Sequence, residues 1–347
     1  MSAVGIREVA AQSQVSPGTV SNFLNHPDKV APETAARIRA AIAALGYVGN
    51  SAARQLRIGA STTIAHLALE VGTPGFADFA QGVEERASEI GYSVLIANSG
   101  GSTAREASYL DLFESQRVRG ILLSAVGAHT DRVVRLAERG IPTVAVGRRA
   151  DTATCSSVSI DDEEGGRLAV EHLLQIGCRR IMVIGGPFDI ETIADRLEGA
   201  QQAVSAVSGA EIEIVEVGAR SITAGRAAGE MLRSRPAEDR PDGVFAVNDL
   251  LAVGILHALT EEGSVRVPED VALVGYGDIE FAADAVIPLT SIRRQSDMFG
   301  RTALDLLHQE IAQGPGGRHH RVAFHPELVV RQSTVGRTGE QPGVSNR

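Results

Sequence analysis

The sequence predicts a small three-helix head followed by two α/β lobes, each a doubly wound parallel sheet. Three observations point to it: a helix-turn-helix pattern in the first 25 residues, alternation of apolar runs with amphipathic helices from Thr62 onward, and one full repetition of that alternation. A chain of 347 residues with 44% hydrophobic content is long enough for such a module and two lobes.

In the head, Ile6, Val9 and Ala10 fall at helical spacing, and a tight turn follows around Gln14. Ser16 is a good N-cap, Pro17 suits the first helical position, and Val15 can staple onto Val20. A second short helix therefore starts there. Val20 and Leu24 form its inward i, i+4 pair, while Gly18, Ser21, Asn22 and Asn25 face outward. Small or amide-bearing side chains on an outward face suit base edges and phosphates. With Ser16, Pro17 and Thr19 at the helix start, they are the candidate DNA contacts. Two short helices joined by a turn are also a common structural unit, and geometry alone does not choose between the readings. A third helix opens at Pro32 and closes at Gly46, with Ala35, Ile38, Ile42 and Leu45 turned to the core. Asn50 then caps a segment, Ser51 to Leu56, too short to persist alone as a helix.

From Thr62 onward, 64–69, 93–97, 121–123, 143–146 and 158–160 read as strands, with helices over 77–90, 103–116 and 130–139. The second series has strands over 180–184, 212–217, 244–247 and 272–274, with helices over 162–176, 190–207, 222–233 and 249–262. Two successive βαβ series imply two doubly wound lobes, an arrangement like that of periplasmic sugar-binding proteins.

The residues narrow the reading further. Ile6-Arg7-Glu8-Val9-Ala10, Val15-Ser16, Thr19-Val20-Ser21 and Leu24-Asn25 resemble the head of the lactose-repressor and galactose-repressor family of bacterial transcription factors. The resemblance continues through Val30-Ala31-Pro32-Glu33-Thr34, Ala43-Ala44-Leu45-Gly46-Tyr47 and Asn50-Ser51-Ala52-Ala53-Arg54-Gln55-Leu56. It implies a head over 1–49, and a hinge over 50–61 that folds on operator DNA. Leu56 would wedge into the minor groove there, with Arg54 and Arg57 beside it. It also implies a two-lobed effector and dimerisation domain over 62–332. The strand near 291–293 and the helix over 298–312 would return to the first lobe, so that lobe 1 spans 62–159 plus 290–320 and lobe 2 spans 160–289 plus 321–332. Residues 333–347, polar and without heptads, are expected to be a disordered tail, and the missing leucine heptads favour a homodimer.

Open α/β lobes bind ligands at the carboxyl ends of their strands, so the candidates are the polar residues that follow each apolar run. They are Ser124, Arg148, Asp161, Asn248 and Asp278; Asp161 with Glu164 equally suits a capping box. The resemblance adds Phe76, in a segment whose aromatic covers the ligand, and Arg196, which matches an arginine that reaches it. Carboxylates, an amide and arginines suit a polyhydroxylated, sugar-like effector, with purines and phosphorylated sugars as alternatives. The chain departs from the family pattern at Gln14, Asn22 and Gly49 in the head. It departs again at Gly147, where an acid is usual, and at Gly277, which displaces the usual acid to Asp278.

Composition bounds the rest. The net charge is −10, yet residues 1–60 carry Arg7, Lys29, Arg37, Arg39, Arg54 and Arg57 against only Glu8, Asp28 and Glu33. A basic head on an acidic body lets the head alone meet phosphates. Eighteen consecutive apolar residues occur nowhere, and no basic-then-apolar leader pattern is present, so a cytoplasmic location away from membranes is expected. Cys155 and Cys178 are expected as buried reduced thiols, and His319 and His320 as loop residues rather than metal ligands. No phosphate loop, dinucleotide fingerprint or nucleophile elbow is found, so neither catalysis nor a cofactor is expected. The rival is a solute-binding protein of a transport system, which would carry a signal peptide and no head.

Overall fold

The computed structural model describes residues 4–47, 61–127, 129–263 and 265–336. Arg54, Leu56 and Arg57 lie outside the described residues. The chain divides into two compact units, Met1–Ser61 and Thr62–Arg347.

The first unit contains helices α1 (Ile6–Ser13), α2 (Pro17–Asn25) and α3 (Pro32–Leu45). Ser16 caps α2, its hydroxyl accepting from the Thr19 N–H at 3.0 Å. Val9, Ala10, Val20, Phe23, Ala35, Ile38 and Ala41 form the core. Phe23 rather than Leu24 is the second fully turned-in residue of α2, so the inward pair is i, i+3 instead of i, i+4; Leu24 is half-buried beside it. Arg39 lies over the Phe23 ring at 5.5 Å, which covers its outer face with a guanidinium. Gln14 ends α1 in the left-handed region, with φ 56°, and its N–H bonds back to Ala10 and Ala11.

The second unit holds two six-stranded sheets. The first comprises β1 (Thr63–Ala68), β2 (Ser93–Asn98), β3 (Gly120–Leu123), β4 (Thr143–Val146), β5 (Ser156–Ile160) and β11 (Arg321–Phe324), in the order β11-β5-β4-β3-β1-β2. The second comprises β6 (Arg180–Gly185), β7 (Glu211–Glu216), β8 (Gly243–Ala246), β9 (Ala272–Gly277), β10 (Thr290–Arg293) and β12 (Glu327–Val329), in the order β12-β10-β9-β8-β6-β7. All pairs are parallel except β10 with β12. Helices α4 (Pro74–Glu89), α5 (Thr103–Ser115), α6 (Thr130–Glu138) and α12 (Ser296–Gln313) pack on the first sheet. Helices α7 (Asp162–Gln175), α8 (Glu191–Ser205), α9 (Ile222–Ser234) and α10 (Asp249–Thr260) pack on the second, with a short α11 (Glu280–Ala283).

Two boundaries differ from the sequence reading. Strand β10 stays in the second sheet, so the return to the first lobe occurs at Arg294–Gln295 and not before residue 290. Strand β11 pairs with β5 in the first sheet, so the last crossing falls at His325–Pro326 rather than at residue 320. Physically, β10 lies parallel to β9 and buries Thr290, Ser291 and Ile292, which commits it to the second core. The expected disordered tail also begins too early: Ser333 and Thr334 are buried. The Ser333 hydroxyl donates to Leu273 O at 2.6 Å and accepts from Thr290 N at 2.8 Å.

A non-glycine residue in the left-handed region costs roughly 1 kcal/mol, part of which the greater flexibility of glycine in the unfolded chain offsets. Gln14→Gly is therefore expected to stabilise the head by about 0.5 kcal/mol, read from urea unfolding followed by a probe in the head.

Candidate functional site

In the head, Ser16, Pro17, Gly18 and Asn22 are exposed and Thr19 and Ser21 half-exposed. Ser16, Gly18, Thr19, Ser21 and Asn22 line a shallow groove with Lys29 and Thr34. A turn closed by Ser16 presents one polar strip, and the lysine supplies its positive charge. Asn25 is less available, since its amide donates to the Ser21 carbonyl one turn earlier.

In the second unit, a cavity of about 350 Å³ opens at the carboxyl ends of both sheets. Phe76, Ser124, Arg148, Arg196 and Asn248 line it, whereas Asp161 and Asp278 do not. Asp161 is occupied as the N-cap of α7, accepting from Glu164 N at 3.2 Å. Asp278, at φ 52° just past β9, neutralises two arginines outside the cavity: Arg293 Nε at 2.7 Å and Arg331 Nη2 at 2.6 Å.

The cavity wall is built by α7 and α8. Gly166 and Gly199 let these helices approach until a Cβ on Gly199 would lie 1.8 Å from Glu163 O. This closeness brings Arg196 of α8 onto Asp162 of α7, Nε to Oδ1 at 2.7 Å. The Tyr276 hydroxyl donates to the same oxygen at 2.6 Å, and its ring lies 3.7 Å under the guanidinium carbon. Arg196 Nη1 donates to Val247 O at 2.7 Å. Burial and the Asp162 charge hold the Tyr276 phenol far above its ordinary pKa, so it remains a donor. Arg196 is thus a structural keystone of the wall as well as a lining residue.

Asn248 caps α10 through Leu251 N at 3.0 Å and donates to Arg220 O at 3.1 Å. Arg148 donates to Gly127 O at 3.0 Å and faces Glu191 at 3.5 Å. The buried Glu106 carboxylate braces that loop by accepting from Val126 N at 2.8 Å and Gly127 N at 3.2 Å. Arg220 pairs with Glu70 at 2.7 Å. Both ion pairs cross between the lobes. On the apolar side, Phe76 stacks on His66 with ring centroids 5.6 Å apart, and His66 Nε2 lies 3.4 Å from Ser124 Oγ. Burial lowers the His66 pKa to about 4, so the ring is neutral at pH 7.

Sequence reasoning passed over Asp162, Tyr276, Arg220, His66 and Arg294. Arg294 follows β10 directly, so the strand-end rule reaches it once that strand is placed in the second sheet. Cys155 and Cys178 are buried and form no disulfide, and burial raises the Cys155 thiol to about 11. His319 pairs with the buried Glu310 at 2.6 Å. No cluster of metal-ligating side chains occurs among the described residues.

Residues 5–50 match the family model "Bacterial regulatory proteins, lacI family", and residues 170–334 match the "Periplasmic binding protein-like domain". The HTH-type transcriptional repressor PurR of Aliivibrio salmonicida is 30% identical over 334 residues, covering 94% of this chain and 98% of its own. A solved CelR–cellobiose complex is 32% identical with TM-score 0.68, over 95% of this chain and 99% of that one. The Lac repressor dimer bound to operator and the anti-inducer ONPF is 25% identical with TM-score 0.77, over 96% and 100%.

Two outcomes follow. Arg196→Ala strands the Asp162 charge in the wall and is expected to cost about 3–5 kcal/mol, read as a lower urea midpoint. His66 binds its proton in the unfolded chain near pH 6.5 but in the folded one only near 4, so its contribution to stability declines as pH falls through that window. Asp195, raised by burial to about 6, acts with the opposite sign, so the comparison must be a difference between variants. Between pH 6.5 and 5, wild type should lose about 1.5 kcal/mol more than His66→Phe, as measured by urea unfolding at both values.

Proposed function

Because the chain belongs to the lacI family of bacterial regulatory proteins, we propose that it is a transcriptional repressor whose head binds operator DNA and whose cleft binds a controlling effector. The observation that carries this reading is the pairing, in one chain, of the polar strip on α2 with a polar-walled cleft at the carboxyl ends of two sheets. Two heads of a homodimer would read a palindromic site through adjacent major grooves, about one helical turn apart. Ser16, Pro17, Gly18, Thr19, Ser21 and Asn22 would contact DNA, with Asn25 as a helix-stabilising neighbour. Arg54, Leu56 and Arg57 would engage the minor groove between the heads. Leu95 and Ile96, exposed on the edge strand β2, support self-association of the second unit.

The effector would be polyhydroxylated and sugar-like. Phe76 offers an apolar face, and Arg148, Ser124 and Asn248 offer donors and acceptors at the opposite rims. Ligand that alters the lobe arrangement alters operator affinity, and operator alters ligand affinity by the same factor. The reading makes the protein a regulator and not an enzyme. No helix among the described residues is long and apolar enough to cross a membrane, which agrees with the cytoplasmic location a repressor needs. A transport-system binding protein is disfavoured, since the matched lacI-type head has no role in it.

Operator selection from random duplexes, followed by fluorescence anisotropy, tests the assignment. Asn22→Ala should cost roughly 1–3 kcal/mol on the selected site and relax preference at one base pair per half-site. An unchanged selected sequence would place Asn22 away from the bases, and absence of any selected sequence for wild type would remove the repressor reading.

A further inference from the structure

Four arginines and four carboxylates line the cleft, but they do not all pair with one another. Arg148 faces Glu191, Arg196 holds Asp162, and Arg220 holds Glu70. Arg294 alone among these arginines has no ion pair or hydrogen bond to any described residue, and its Nε is shut off from solvent. Its position is fixed by close contact rather than by bonding: a Cβ on Gly75 would lie 1.7 Å from Arg294 Nη2. Burial, and then the nearby Arg196 charge, push the Arg294 pKa below its ordinary value, a shift that the Asp162 and Asp249 carboxylates only partly oppose.

Backbone donors gather at the same place. Gly75 is the second residue of α4, and Arg294 stands two residues before α12. These helices, of 16 and 18 residues, begin without a side-chain cap, and Gly75 and Ser296 of their first turns line the cavity. They are held together by Gly82 and Gly300, where a Cβ would lie 2.3 Å from Asp297 O and from Phe79 O respectively. By contrast α7 and α10 are closed by Asp161 and Asn248. In α4 the free donor is the Gly75 N–H, since Pro74 has none and Phe76 N bonds Thr73 O at 3.0 Å; α12 contributes the N–H groups of its first turn, which also carries Asp297, and both turns point the positive ends of their helix dipoles at the cavity.

We propose that the effector carries an oxyanion, a carboxylate or a phosphate on a polyhydroxylated frame, which binds at Arg294 between the first turns of α4 and α12. The proposal rests on the effector reading above and narrows its ligand class. A guanidinium presents paired N–H groups that match two oxygens of a carboxylate or phosphate, and an anion there supplies the hydrogen-bonded partner that Arg294 lacks. A neutral hydroxyl would satisfy one donor and leave the charge uncompensated.

The test compares wild-type full-length protein with Arg294→Gln and Arg294→Met by thermal shift and calorimetry. The probes are inorganic phosphate, glucose, ribose, their terminal phosphates, and glucuronate. Tens of millimolar phosphate, against chloride at equal ionic strength, should raise the wild-type Tm and leave both variants unmoved. An acidic sugar should bind wild type at least about tenfold more tightly than its neutral parent, with salt-dependent affinity, and the variants should lose that preference. The phosphate and carboxylate arms identify which oxyanion is used. Without ligand, the variants should melt no lower than wild type, since each removes a half-buried guanidinium that has no hydrogen bond or ion pair. Neutral sugars binding wild type as tightly as acidic ones, or variants binding acidic sugars undiminished, would overturn the proposal and leave the effector reading standing. If no probe of either kind shifts the Tm or alters operator binding, both readings fail.

Discussion

The Asp162 carboxylate is the constraint on which the second unit depends. Removing this charge from water is expensive, and the cost is met only because Arg196 and Tyr276 both bond one of its oxygens while the arginine lies flat on the phenol ring. Those contacts need α7 and α8 at a spacing that Gly166 and Gly199 alone allow. They also need β9 to deliver Tyr276 from behind, where Gly165 leaves room for its ring. Three separate segments therefore meet at one oxygen atom. The consequence is a wall whose polar groups are preset before any ligand arrives, since its arginine is already oriented by protein partners.

Much of this was legible in the sequence. Every strand read from an apolar run is present: the inner strands are short apolar runs buried on both faces, which leave little alternative, and the edge strands β2 and β7 carry apolar residues although they are largely exposed. The cap at Ser16 was equally plain, since serine followed by proline has few other uses. Strands β11 and β12 were not legible: they have four and three residues, lie at sheet edges and are half-exposed, so they lack a continuous apolar signal. The choice of Leu24 over Phe23 failed for a related reason, because in a nine-residue helix i+3 and i+4 both fall near the inner face.

Site residues split along the same line. Strand-end reasoning found Ser124, Arg148 and Asn248 because their place follows from chain direction alone. It also picked Asp161 and Asp278, whose carboxylates are taken by a helix terminus and by two arginines distant in sequence. Nothing local announces those partners. Asp162 differs from Asp161 by one position and faces the opposite way, an outcome fixed by the glycine contacts of a helix some 35 residues on.

The connections between the lobes carry a mechanical consequence. The chain passes from one sheet system to the other at Asp161, at Arg294–Gln295 and at His325–Pro326, five residues in all. Links this short confine any relative movement of the lobes to rotations at these few residues. Arg294 is one of them. An anion bound there would act on the residues about which the lobes turn, where a small change in backbone angle displaces the far rim most.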